Sequence, residues 1–128
     1  MRVLLDTHAL LWWAIDNGRL SKKAYSTMAS IEAEIFVSAA SAWEVTTKVR
    51  LGKLPGAENF AEDFSGRVEK LGFRKLEITM EHAQRAGLLP GAHKDPFDRI
   101  LVAQAQAEDM PLVSNEQLFD EYHIRRIW

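Results

Sequence analysis

A chain of 128 residues, 47% hydrophobic and 27% charged, has the makeup of one folded domain with a sizeable core. It holds no cysteine, which excludes disulfides and thiolate metal sites and suits a reducing cytoplasm. A formal net charge of −2 from 16 basic and 18 acidic residues excludes binding of nucleic acid by bulk attraction. Contact with RNA or DNA would need a local basic patch or metal ions.

No stretch approaches the ~20 consecutive apolar residues of a bilayer span, and the first residues lack the pattern of a secretion signal. The expectation is a cytoplasmic protein, one domain over residues 1–128, with no membrane partner.

"RVLLD" (2–6) reads as a strand covered on both faces. "THALLWWAI" follows as a helix, "NGRL" breaks the chain, and Ser21 is placed to cap a helix through "KKAYSTMASIEA". "EIFVSAAS" (34–41) is the second strand, and "AWEVTTKVRLGKL" a helix ended by Pro55 and Gly56. "NFAEDFSGRVEKLG" reads as one helical stretch, "FRKLEI" as the third strand and "TMEHAQRAGLL" as a helix stopping before Pro90. In "DPFDRILVAQAQAEDM", Asp95 is the expected N-cap and Pro96 sits in the first turn. "PLVS" is the fourth strand, "NEQLFDEY" a short helix and "IRRIW" a last strand. Alternating strands and helices predict a parallel sheet with helices on both faces. Its crossovers would carry every strand's carboxyl end to one edge.

Ligand sites in open sheets of this kind lie beyond that edge. Asp6 closes the first strand, and Glu44 lies one turn into the helix after the second. Asp98 is in the first turn of the helix before the fourth strand, and Glu116 follows "PLVS". Each has an ordinary alternative. Asp6 also suits an N-cap and Glu44 a solvated helix face, while Asp98 and Glu116 suit first turns favoured by the helix dipole. Asp95, just before Pro96, fits a plain helix start best. Four acids aimed at one edge outweigh these separate explanations. Packed carboxylates repel, and a divalent cation relieves the repulsion. Oxygen donors without cysteine select Mg²⁺ or Mn²⁺ rather than zinc. On this reading Asp6 is a metal ligand, and the ion would polarise a phosphoryl oxygen and acidify a bound water.

"LLDTHALLW", "SAWEV..KVRLGKL", "HKDPFDRILVAQA" and "LVSNEQLFDEYHIRRIW" together resemble the PIN-domain ribonucleases, most of all the VapC toxins of type II toxin–antitoxin pairs. The similarity runs over nearly the whole chain with the motifs in order. It implies a three-layer α/β/α domain with a central parallel sheet of four to five strands. It matches Asp6, Glu44 and Asp98 to the family's first three acids and Glu116 to the fourth, which is usually Asp. Glu116 therefore departs from the pattern, by one methylene. Asp6, Asp98 and Glu116 are the implied metal ligands, with Glu44 catalytic beside them. The resemblance further implies a Mg²⁺- or Mn²⁺-dependent endoribonuclease hydrolysing RNA to 3′-hydroxyl and 5′-phosphate ends. It also implies a cognate antitoxin covering the active site, and a homodimer.

Four other residues are candidates to support the site or bind substrate. Thr7 or Ser114 would hydrogen-bond a metal ligand or a phosphate, ordinary capping being the alternative. Asp95 would support the site or the helix start, and Arg99 would meet substrate phosphate or pair with Asp95. His8 and His93 lie near the edge as supporting candidates. Trp12, Trp13, Trp43 and Phe97 suit a core or an interface better than an RNA platform. Lys48, Arg50 and Lys53 suit a solvated face slightly better than an RNA guide strip. Two rival classes fit poorly: an aspartyl-phosphate phosphatase needs Asp where His8 stands, and a receiver needs an Asp ending the third strand. A PIN-like RNA- or protein-binding module with a weakened metal site remains the alternative.

Overall fold

The computed structural model describes residues 1–91 and 93–128. Strands β1 (Arg2–Leu5), β2 (Glu34–Ser38), β3 (Arg74–Leu76), β4 (Leu112–Val113) and β5 (Arg126–Ile127) form one sheet in the order β3-β2-β1-β4-β5. Every pairing is parallel. The helices are α1 (Thr7–Ile15), α2 (Lys22–Ala29), α3 (Ala39–Arg50), α4 (Glu58–Glu62), α5 (Phe64–Lys70), α6 (Met80–Leu88) and α7 (Pro96–Ala107). Short 3-10 turns occupy Asn17–Arg19 and Gln117–Tyr122.

Strand side chains alternate between two cores, which is why the strand sequences read as continuous apolar runs. Val3, Leu5, Ile35, Val37, Val113 and Ile127 pack with Leu10, Met28, Val45, Phe60 and Val68 from α1 to α5. Leu4 and Leu112 face the other way, with Phe36 packed alongside, against Leu101, Val102 and Ala105 of α7 and Phe119. Helix α6 covers α7 on that side. The result is the expected α/β/α sandwich, with five strands.

Boundaries differ from the sequence expectation where tertiary contacts decide them. The second strand stops at Ser38, its last residue paired with β3. Ser38 then caps α3, its hydroxyl accepting from Ala40 N–H at 2.9 Å. The alanine-rich "AASA" gains more from helix than from an unpaired strand. The single helix expected over 59–72 is broken at Asp63 (φ −145°, ψ 66°), whose carboxylate caps α5 by accepting from Gly66 N–H at 3.1 Å. A Cβ at Gly66 would run into that carboxylate. Strands three to five are shorter than expected, and "QLFDEY" is a 3-10 turn.

Register sets up the site. Leu5 pairs with both Val37 and Val113, so Asp6, Ser38 and Ser114 follow together at the carboxyl edge. The chain runs outward through β1, β2 and β3, then returns to β4 on the other side of β1. Asp6 and Ser114 therefore flank the switch point, where open α/β sheets hold their ligands.

Candidate active site

An open cleft of about 400 Å³ lies at that edge, and Asp6, Glu44, Asp95, Asp98 and Glu116 all line it. Asp6 leaves β1 in extended backbone and caps α1, its Oδ1 accepting from Ala9 N–H at 2.8 Å. The capping and functional explanations thus coincide in one side chain. Asp6 is 6% exposed. Burial pushes its pKa from 3.8 up to about 6; Ser114 and the Ala9 N–H pull it down, and Glu44 and Glu116 push it up again.

Glu44 is buried on α3. Thr7 Oγ1 donates to its Oε1 at 2.6 Å, and Lys48, one turn further along α3, pairs with its Oε2. Since Thr7 gives its proton to Glu44, the 2.9 Å contact between Thr7 and Ser41 has Ser41 donating. Burial works against the Lys48 ammonium, but Glu44, with Asp95 and Asp98 behind it, raises its pKa above the ordinary value.

Asp98 stands in the first turn of α7, hydrogen-bonded to His93 Nε2 at 2.9 Å. Burial again is the main cause that lifts its pKa from 3.8 to about 6; the His93 hydrogen bond opposes the rise, and Asp95 and Glu44 add to it. Asp95 caps α7 as expected, accepting from Phe97 and Asp98 N–H at 2.9 and 3.2 Å, and it also faces the cleft. Glu116 is exposed at the rim and caps the 117–122 turn through Leu118 N–H at 3.2 Å.

Three supporting candidates are held by hydrogen bonds within the protein. Arg99 neither lines the cleft nor pairs with Asp95. Its guanidinium donates to the carbonyls of Ala86, Leu89 and His93 at 3.1, 2.6 and 2.9 Å, tying the end of α6 to the start of α7. Ser114 is fully buried, and its hydroxyl accepts from Glu116 N–H at 2.9 Å. There it holds the backbone at Glu116, beside Asp6. Thr7 is likewise buried and serves Glu44.

Sequence reasoning gave Lys48 to a solvated face and passed over Ser41, Asn115 and Arg19. The i,i+4 spacing of Glu44 and Lys48 was the available signal for the first. Asn115 and Arg19 line the cleft through chain reversals that no periodicity encodes. Trp43, 56% exposed, sits edge-on to Phe97 at 4.8 Å between centroids, while Trp13 packs against the core.

A family model described as the PIN domain matches residues 3–124. The chain belongs to the PIN domain family. No curated protein matches it significantly. Among solved structures, this PIN domain is similar to VapBC2 from Rickettsia felis bound to a promoter DNA fragment. That match has 17% identity and TM-score 0.72, covering 98% of this chain and 97% of the other. It is also similar to VapC20 of Mycobacterium tuberculosis, a toxin cleaving the sarcin–ricin loop, at 13% identity and TM-score 0.69 over 95% of each chain. A toxin–antitoxin complex from Klebsiella pneumoniae matches at 20% identity and TM-score 0.60, covering 89% and 86%. These likenesses establish the shared fold.

Among the described residues, no three carboxylate or imidazole groups stand ready to hold an ion between them. The donor chemistry nonetheless fits a hard divalent cation. Five carboxylates and no thiol line one cleft, and two of the acids are held above their usual range. Mg²⁺ needs only one or two carboxylates, completing its shell with water and substrate phosphate. Among the described residues no helix is long and apolar enough to cross a membrane.

Proposed function

We propose that this PIN domain is a Mg²⁺- or Mn²⁺-dependent endoribonuclease, the toxin of a VapBC-type toxin–antitoxin pair. The observation that carries the reading is the convergence of Asp6, Glu44, Asp98 and Glu116 on one cleft, with burial holding Asp6 and Asp98 near a pKa of about 6. Such a cluster gains stability from any cation that neutralises it.

Asp6, Asp98 and Glu116 would hold the ion. When bound, it polarises the scissile phosphate and acidifies the attacking water. The chain's own groups prepare the rest. The Ala9 N–H and Ser114 orient the Asp6 carboxylate, and His93 orients that of Asp98. Thr7 and Lys48 fix Glu44 in one orientation at the cleft, with its carboxylate beside the attacking water's place. Lys48 also carries positive charge into the cleft, where it offsets that of the RNA phosphate.

The partner follows from the same charge pattern. A guanidinium pairs bidentately with carboxylates, so an antitoxin segment that places an Arg, or less favourably a Lys, among the four acids would silence the site. The similarity to toxin–antitoxin complexes supports such a partner. A homodimer in the cytoplasm completes the proposal.

Cleavage of RNA by the purified chain tests the reading. Activity should need Mg²⁺ or Mn²⁺, stop on chelation and be absent in Asp98→Asn. Cleavage that persists in chelator would overturn it. The longer Glu116 favours one second reading, a PIN-like module that binds RNA or protein without cutting. RNA binding with no cleavage at any divalent ion would establish that one instead.

A further inference from the structure

The acidic cleft does not end at its carboxylates. A second cavity of about 360 Å³ continues from it, and His8, Trp12 and Arg19 line both. Residues 8, 12 and 15 share one face of α1, and Asp16 follows as its C-cap. The opposite face carries Ala9 and Leu10 into the core, so this stripe leads away from Asp6 along the outside of the helix. The 3-10 turn at Asn17–Arg19 folds back and lays the Arg19 guanidinium over the Trp12 ring, 4.9 Å from its centroid. His8 lies against the same ring at 5.5 Å, and Trp128 supports it at 5.8 Å. Leu54, Pro55 and Ala57, after α3, form the far wall.

Two features set this shelf apart from ordinary surface. Trp12 is only half-buried, although the sheet-facing positions of α1 beside it are closed. Arg19 is exposed and, among the described residues, pairs with no carboxylate, although five acids line the adjoining cleft. A guanidinium lying over an indole keeps N–H donors free for anions, and its own plane, like an aromatic ring, stacks on any nucleobase.

We propose that His8, Trp12 and Arg19 form a subsite for single-stranded RNA, in which the nucleotide beside the scissile phosphate stacks on the Trp12–Arg19 shelf. The geometry divides the labour. Carboxylates and their cation take the scissile phosphate, while Arg19 contacts the neighbouring phosphate or stacks over the base. The shelf gives a net-negative protein a local basic and aromatic foothold at the one place where RNA must lie. It selects unpaired RNA, because a base inside a duplex has no free face to offer. The inference rests on the endoribonuclease reading and deepens it by naming the residues that hold the nucleotide beside the cut.

The test measures binding and cleavage separately. Binding of a single-stranded RNA decamer is followed by tryptophan fluorescence and by anisotropy of a labelled strand, with Mg²⁺ present and in an Asp98→Asn background that blocks cutting. Trp12→Leu and Arg19→Ala should each raise Kd by about tenfold, the order expected for losing one stacked base. Trp12→Phe, which keeps a ring, should recover most of the affinity. Arg85→Ala removes an equal charge from a cavity lined also by Met110 and Pro111, and should leave Kd unchanged. A duplex of the same sequence should bind equally to all variants. If Trp12→Leu fails to fold, the exposed Arg19 carries the test through Arg19→Ala and Arg19→Lys.

Unchanged affinity for the decamer in the folded variants overturns the subsite and leaves the shelf as a protein-docking surface. Cleavage by the wild-type chain, with the same KM in Trp12→Leu and Arg19→Ala made on the intact Asp98 chain, also removes the subsite, while keeping the nuclease. Impaired binding in the variants, beside a wild-type chain that cuts no RNA, keeps the subsite and removes the nuclease.

Discussion

Replacing Asp6 by Asn separates what the residue does for the fold from what it does for the site. Burial raises the Asp6 pKa from 3.8 to about 6, which weighs about 3 kcal/mol against the ionised form in the folded protein. Folded Asp6 keeps its proton to a higher pH than unfolded Asp6. Between 3.8 and about 6 the folded state therefore binds more protons, and stability falls as pH rises through that interval. Above it the full cost is present; below 3.8 it vanishes. Asn keeps an oxygen for the Ala9 N–H and is as good an N-cap as Asp, yet carries no charge. Asp6→Asn should thus be more stable than wild type above neutrality by about 1–3 kcal/mol, allowing for the new amide donors. The corresponding rise in Tm is roughly 3–10 °C for a domain of this size. The gain should shrink to nothing as pH falls below 3.8. Urea denaturation in chelator across the pH range measures it, with Asp6→Ala as a comparison that also loses the cap, costing about 1 kcal/mol. A stability difference independent of pH, or an Asn variant less stable than wild type at neutral pH, would refute the reasoning.

Asp98→Asn should abolish RNA cleavage, whereas Asp95→Asn, which keeps the α7 cap, should retain most of it; initial rates on one RNA compare the two, and the reverse order would show Asp95 to be the working acid. Arg99→Lys should cost about 2 kcal/mol, since one ammonium cannot reproduce a fork on three carbonyls. Faster amide exchange over 86–98 would locate that loss. Lys48→Met should destabilise by about 1–2 kcal/mol in urea by leaving the buried Glu44 charge short of a partner, and it should lower kcat more than it raises KM. Millimolar Mg²⁺ should raise the Tm of wild type by mass action and that of Asp98→Asn much less, as a thermal scan will show.

How much could be read in advance depended on how local the cause was. Asp95 with Pro96, Ser21 before α2 and the apolar run ending at Asp6 are signals carried by neighbours in sequence, so β1 and the starts of α1, α2 and α7 were legible, while α2 ends at Ala29 and α7 at Ala107, short of the expected Ala33 and Met110. Strand–helix alternation further restricted the sheet to parallel, and thereby sent the strand ends carrying Asp6 and "PLVS" to one edge. The candidate acids came from that rule and from the family resemblance together.

The remainder required the chain to fold. Where β2 ends depends on its pairing with β3, not on the β propensity of "EIFVSAAS", and the break at Asp63 depends on a carboxylate finding Gly66. Arg99 looked like a phosphate ligand because charge is visible in a sequence, while the three carbonyls that occupy it are not. Lys48 looked solvated because the buried Glu44 beneath it is defined only by packing. Arg19 meets Trp12 through a 3-10 reversal with no periodic signature. The sequence by itself determined which groups sit at the sheet's edge, because alternation and handedness are properties of the chain. Which of those groups face the cleft and which brace it was decided by the tertiary structure, since hydrogen-bond partners and burial exist only once distant segments are in contact.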